Sequence, residues 1–240
     1  MSGHSKWHNI QARKGKADAK RANIFTKIGR EIAVAVKEGG ADQETNTRLR
    51  LAVQKAKQNN MPNDNITKAI KKASGELGNV NYENITYEGY GIGGSAIIVE
   101  CLTDNKNRTV GDVRHLFDKY GGSLGSAGCV SYLFKRKGLV VIEKNNSVSS
   151  DDLFMIALEA GAEDILEEEE CFEIYTIPEN FEQVVQELEK ANIEIASKSI
   201  DLIPDMYVDL NEQQTTTFEK MIDLLEDLDD VQDVYHNVNQ

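Results

Sequence analysis

The chain has 240 residues, of which 40% are hydrophobic and 28% charged, with a formal net charge of -13 at pH 7. That length suits two or three domains, each burying a modest core. Its strongly apolar stretches, such as 96–99 and 139–142, fall far short of the ~20 residues needed to span a bilayer, and the apolar run 24–36 is broken by Lys27, Arg30 and Glu31, unlike a secretory leader. A cytoplasmic protein with no membrane partner is expected.

Charge is divided unevenly along the chain. Residues 1–77 carry 16 basic and 7 acidic side chains, a balance of +9, whereas 78–240 carry 11 and 33, a balance of -22. Any polyanion must therefore meet the first part.

The periodicity there is helical. Ile24, Ile28, Ile32 and Val36 recur every four residues from Ala17 until Gly39-Gly40 ends the run. A second helix follows Thr45 through Leu49, Val53 and Ala56 and stops at Asn59-Asn60-Met61-Pro62. A third is predicted to be capped by Asn63 or Asp64, to bury Ile66, Ala69, Ile70 and Ala73, and to close at Gly75. The first domain is thus a helical bundle.

After Gly78 the pattern becomes strand-like: 85–88, a glycine-rich turn, and 95–102 with β-branched Ile97, Ile98 and Val99. A helix over 108–120 ends at Gly121-Gly122, and 130–134 reads as a further strand. Next come a strand at 138–143, a helix at 150–160, strands at 162–166, 172–177 or both, a helix at 178–191 and a strand at 193–203. That βαββαβ order predicts a ferredoxin-like sandwich. The tail adds one helix around Phe218 to Leu225 and one strand from Val231 to Val238, which cannot bury a core alone and must complete a sheet elsewhere. The expected division is 1–77, a basic helical domain; 78–134 plus 205–240, a discontinuous α/β sandwich; and 135–204, an inserted α/β domain. The fold class is α+β multidomain.

Several constellations point to no chemistry. Gly89-Tyr90-Gly91-Ile92-Gly93-Gly94 fits GxGxxG, yet a strand follows it where a pyrophosphate needs a helix N-terminus. A hairpin is the better reading, with Tyr82, Tyr87 and Tyr90 packing on a sheet face rather than stacking on bases. His4, His8, His115 and His236 and the three cysteines lack metal-ligand spacing, so no metal or cofactor is expected and Cys101, Cys129 and Cys171 read as buried thiols. The acidic runs 167–170 and 226–230 lack EF-hand spacing and read as solvated faces. An enzymatic role would rest on the polar stretch Asp104 to Arg108, which more simply caps a helix near Asn107.

The basic segment has the right companions for nucleic acid. Eight Lys or Arg stand against Asp18 alone in the first thirty residues. Lys6, Arg13, Lys14, Lys16, Lys20, Arg21, Lys27 and Arg30 would contact phosphates, Trp7 would stack or anchor, and Arg48 and Arg50 would widen the patch. No helix-turn-helix dimer signature is clear.

Several ordered motifs resemble the YebC/PmpR family: Gly3-His4-Ser5-Lys6-Trp7, Ala19-Lys20-Arg21, Ile24-Phe25-Thr26-Lys27, Arg48-Leu49-Arg50-Leu51-Ala52, Asn60-Met61-Pro62, Tyr87-Glu88-Gly89-Tyr90-Gly91, Glu100-Cys101-Leu102-Thr103-Asp104-Asn105 and Val130-Ser131-Tyr132-Leu133-Phe134. Ile92 and Cys129 depart from it, where proline and serine are common. The resemblance implies a three-domain, non-enzymatic protein without cofactor, similar to DNA-binding transcriptional regulators in bacteria, with relatives that act in translation at the ribosome. The leading expectation is a nucleic-acid-binding transcriptional regulator. The alternative is a translation factor bound to rRNA through its basic end, because net -22 elsewhere hinders close wrapping of duplex DNA.

Overall fold

The computed structural model of the chain describes residues 17–75, 81–144 and 149–239. These fall into two compact units, one of 17–131 with 211–236 and one of 132–210 with 237–239.

The first unit begins with α1 (Ala17–Gly39), α2 (Thr47–Gln58) and α3 (Asn63–Ser74). The four-residue apolar repeat puts Ile28, Ile32 and Val36 of α1 against Leu49, Ala52, Val53 and Ala56 of α2 and Ile66 of α3. Each fully buried branched side chain contributes roughly 1.5–3 kcal/mol. Buried Asn46 joins two of the helices: its Oδ1 accepts from Leu49 N at 3.0 Å, capping α2, while its Nδ2 donates to Ala35 O and Gly40 O at 2.7 and 2.8 Å. Neither Asn63 nor Asp64 caps α3. Pro62 occupies the cap position with no side-chain bond, because its fixed φ already directs the chain into the first turn.

Strands β1 (Glu83–Tyr90) and β2 (Ala96–Thr103) form an antiparallel hairpin. The glycine-rich segment is its loop, closed by Gly91 N donating to Ser95 O at 2.7 Å, with Gly93 and Gly94 at φ 70° and 77°. Helix α4 (Lys106–Lys119) is capped by Asn105, whose Oδ1 accepts from Arg108 N, and not by Asn107. Strand β3 (Ser123–Leu124) pairs with β1. The expected strand at 130–134 does not form. Instead 131–133 makes a single 3-10 turn, because the Glu88 carboxylate accepts the N–H groups of Gly128, Val130 and Ser131 at 2.8–2.9 Å, leaving Val130 and Ser131 no donor for a ladder.

The second unit contains β4 (Phe134–Glu143), α5 (Ser150–Glu159), β5 (Ala162–Glu167), β6 (Cys171–Thr176), α6 (Phe181–Lys190) and β7 (Ser197–Pro204). Both candidate strands between the helices are present. The sheet order is β5-β6-β4-β7, antiparallel throughout. Val140, Ile142, Phe172 and Ile174 on one face pack against Leu153 and Ala157 of α5 and Val184, Val185 and Leu188 of α6, while Leu139, Val141, Cys171, Tyr175 and Ile203 are buried on the other.

The chain then returns to the first unit with α7 (Glu212–Asp227) and β8 (Val231–His236). Asn211 and Gln214 form a reciprocal capping box at the start of α7. Strand β8 pairs antiparallel with β2, giving the order β3-β1-β2-β8. Phe117 of α4 and Phe218 of α7 are fully buried in this unit, and Phe218 meets His236 edge-on at 5.0 Å. The chain is thus a mixed α+β protein with N-terminal helices and two antiparallel sheets.

Candidate nucleic-acid interface

Lys6, Trp7, Arg13, Lys14 and Lys16 lie outside the described residues, and Lys20 and Arg21 stand on the first turns of α1 with side chains outside them. The remaining cations separate into two groups.

Those at the middle of α1 are engaged within the fold. The turn joining α7 to β8 lies along this helix. Asn23 Nδ2 donates to Asp227 O at 2.7 Å, Lys27 Nζ to Glu226 O at 2.5 Å, and Arg30 Nη1 to Asp229 O at 2.6 Å and Asp230 Oδ1 at 2.5 Å. The Tyr82 ring lies 5.8 Å from the Arg30 guanidinium carbon. Burial pushes the Lys27 ammonium below its usual value, against the opposing pull of Glu226, Asp233, Asp227 and Asp229.

Asp230 is the centre of this arrangement and is itself buried. Besides Arg30, it accepts from Arg108 Nε at 3.1 Å and Nη2 at 2.7 Å, from Thr103 Oγ1 at 3.2 Å and from Thr109 Oγ1 at 2.8 Å. Burial alone would raise its carboxyl, but hydrogen bonds from Arg108, Thr109 and Arg30 outweigh it and hold the group below the usual carboxylate range. Arg108 also pairs with Asp104, one helical turn away, and these two acceptors raise its guanidinium further above its ordinary value. The stretch 104–108 therefore ties α4 to the α7–β8 turn. The acidic run 226–230, expected as a solvated face, ends in a buried carboxylate that two arginines share.

Sequence reasoning missed this cluster because its members lie about 120 and 200 residues apart. A local signal was present in Thr103-Asp104-Asn105 followed by Arg108-Thr109, whose spacing stacks Arg108 and Asp104 on one side of a helix start.

The cations of α2 and α3 stand differently. Arg48 pairs with Glu38, Lys55 with Glu31 at 3.5 Å, and Arg50 reaches Thr47 Oγ1 at 3.3 Å. Lys57, Lys68, Lys71 and Lys72 are exposed and have no acidic partner among the described residues. Tyr90 donates its hydroxyl to Cys129 O at 2.9 Å and Tyr87 reaches Lys106 O at 3.5 Å, so both hydroxyls are tied to the backbone. Cys101 and Cys171 are buried and Cys129 partly so. Burial is the main reason that the Cys101 thiol is pushed up to about 12. Among the described residues, no group of three or more His, Cys, Asp or Glu is placed to hold a metal ion, and no helix is long and apolar enough to cross a membrane.

Two antiparallel sheets, an interrupted chain path through the first of them, and a basic helical beginning define the class. Family models agree over nearly the whole length: residues 5–76 match the TACO1/YebC protein N-terminal domain and 82–238 the TACO1/YebC second and third domain. The chain belongs to the TACO1/YebC family. It is 61% identical over 237 residues to a protein of Clostridium beijerinckii and 57% identical to one of Clostridium botulinum, each named "Probable transcriptional regulatory protein", with 99% of this chain and 96% of each relative covered. A crystal structure of a conserved hypothetical protein from Aquifex aeolicus superposes with a TM-score of 0.79 at 45% identity, covering 93% of this chain and 92% of that one.

Proposed function

We propose that the protein is a non-enzymatic, cytoplasmic regulator that binds DNA through its basic helical end and acts on transcription. The observation carrying this is the opposition of a +9 end to a -22 remainder, together with exposed lysines on α2 and α3 that face no acidic group among the described residues. The names of the relatives point the same way. Lys6, Arg13, Lys14, Lys16, Lys20 and Arg21 are the proposed phosphate contacts, with Trp7 stacking or anchoring and Arg48 and Arg50 at the margin. Exposed ion pairs such as Arg48–Glu38 are weak enough to exchange for a phosphate. Lys27 and Arg30 are held instead by the end of α7 and the turn after it, and release of Arg30 would uncover the buried Asp230 carboxylate.

Under this proposal the helical domain is 1–77, the discontinuous domain 78–134 plus 205–240, and the insertion 135–204 a ferredoxin-like module, a reading supported by its β5-β6-β4-β7 order. The test is fluorescence anisotropy of the full chain on labelled duplex DNA across a salt series. Affinity should fall with a log–log slope of about -0.9 per phosphate contact, and charge reversal at Lys14, Lys16 and Lys20 should abolish binding. Retained binding in that variant overturns the reading. Co-sedimentation of the protein with ribosomal particles and never with chromosomal DNA would favour the rRNA alternative.

A further inference from the structure

We infer that α2, the turn 59–62 and α3 form a helix-turn-helix unit whose second helix, α3, enters the major groove of double-stranded DNA. The inference rests on the DNA-binding reading above and goes further by naming the element that reads the duplex.

The turn is the first observation. Four residues separate α2 from α3, the length such units use. Asn60 sits in the left-handed region at φ 57°, the place where a glycine commonly stands. Asn60 N donates to Lys57 O at 3.0 Å and Met61 N to Ala56 O at 2.9 Å, the paired bonds that close a helix on a left-handed residue. Met61 is buried in the bundle core, which pins the turn, and α1 packs beneath both helices.

The outward side of α3 is the second observation. Ile66, Ala69, Ile70 and Ala73 face the core, and Lys68, Lys71 and Lys72 are exposed on the opposite side. At the N-terminal end, Asn63 and Asn65 are exposed, and no hydrogen bond involves their side chains among the described residues. Asparagine near a helix start commonly caps it; here Pro62 holds that position and leaves both amides available. The N-terminal residues of a reading helix meet base edges, and an asparagine amide pairs bidentately with adenine. Three lysines farther along supply contacts to phosphates flanking the groove. Twelve residues at 1.5 Å rise make a rod about 18 Å long and 10–12 Å across, which fits a major groove about 12 Å wide.

The test uses the full chain and a duplex selected from a random-sequence DNA library. Changing Lys68, Lys71 and Lys72 together to alanine should weaken binding at least ten-fold on selected and scrambled duplexes alike and flatten the salt slope by about 2–3. Asn65→Ala should weaken the selected duplex about ten-fold and the scrambled one less than two-fold. All four positions are exposed, so melting temperatures should be unchanged, which separates binding from folding. If the wild-type chain binds duplex DNA and these variants bind it equally well, the inference falls while the DNA-binding reading stands. Loss of RNA-hairpin binding with duplex binding intact overturns it too. A wild-type chain that binds no duplex at low salt removes the DNA-binding reading itself.

Discussion

Arg30 on α1 and Lys71 on α3 carry the same charge within one helical bundle, yet the fold treats them oppositely. Arg30 lies against a turn of Asp and Glu residues and shares a buried carboxylate with Arg108, whereas Lys71 is exposed without an acidic partner among the described residues. Net charge therefore overstates the surface offered to a polyanion. What decides is where the α7–β8 turn lies, and that depends on residues far along the chain.

The largest expected effect tests the engaged side of this contrast. Asp230→Ala removes the carboxylate acceptor of Arg30, leaving it only backbone carbonyls, deprives Arg108 of its bidentate partner, and should cost about 3–5 kcal/mol, as removing one member of a buried ionic cluster does. A shift in the urea midpoint worth less than about 1 kcal/mol would show that α1 is not held by this turn. Glu88→Gln ranks next, at about 1–3 kcal/mol. It keeps the shape but replaces a carboxylate that accepts three N–H groups at 128–131.

Acidification should reveal both carboxylates. For Glu88 burial opposes ionisation, but the N–H groups of Gly128, Val130 and Ser131 outweigh it and lower its carboxyl from the usual 4.5; Asp230 is likewise held below the usual 3.8. The folded chain thus binds fewer protons than the unfolded chain in this range. Their stabilisation is fully present above the ordinary carboxylate values and is lost as pH falls through the depressed ones. Urea midpoints from these groups should match at pH 7 and pH 6 and fall below about pH 4. Asp230→Asn should flatten part of that decline. The smallest effects belong to the exposed cations: Arg48→Ala should cost under about 1 kcal/mol, and Lys71→Ala should stay within about 0.5 kcal/mol by thermal melting. A larger loss for Lys71 would mean that α3 is supporting the bundle rather than facing outward.

Much of the fold was legible because its signals are local. The four-residue repeat of Ile24 to Val36 marks α1, and Gly121 stops α4 by reaching φ 77°. Where reading failed, either a distant side chain had taken the backbone's donors, as Glu88 does in curling 128–131 out of strand geometry, or a neighbouring residue held the cap, as Asn105 does two residues before the position expected. The turn between α2 and α3 was legible at Asn59-Asn60-Met61-Pro62, but its closing geometry was not, because the left-handed residue is Asn60 and not glycine and shows itself only in its φ and in the Met61–Ala56 bond. The basic positions were readable as types but not as partners. Lys27 and Lys71 look alike in a sequence, and only the approach of residue 226 distinguishes them.

The bonds from Asn23, Lys27 and Arg30 span 199–204 residues of chain. During synthesis at about 5–20 residues per second, α1 leaves the ribosome on the order of 10–40 s before its acidic neighbour is made. Over that interval the nascent basic helices are exposed beside the RNA of the machine that makes them, without the turn that later covers the middle of α1. A chain broken off before residue 226 would keep those cations uncovered permanently, so an incomplete product should cling to polyanions more than the finished one.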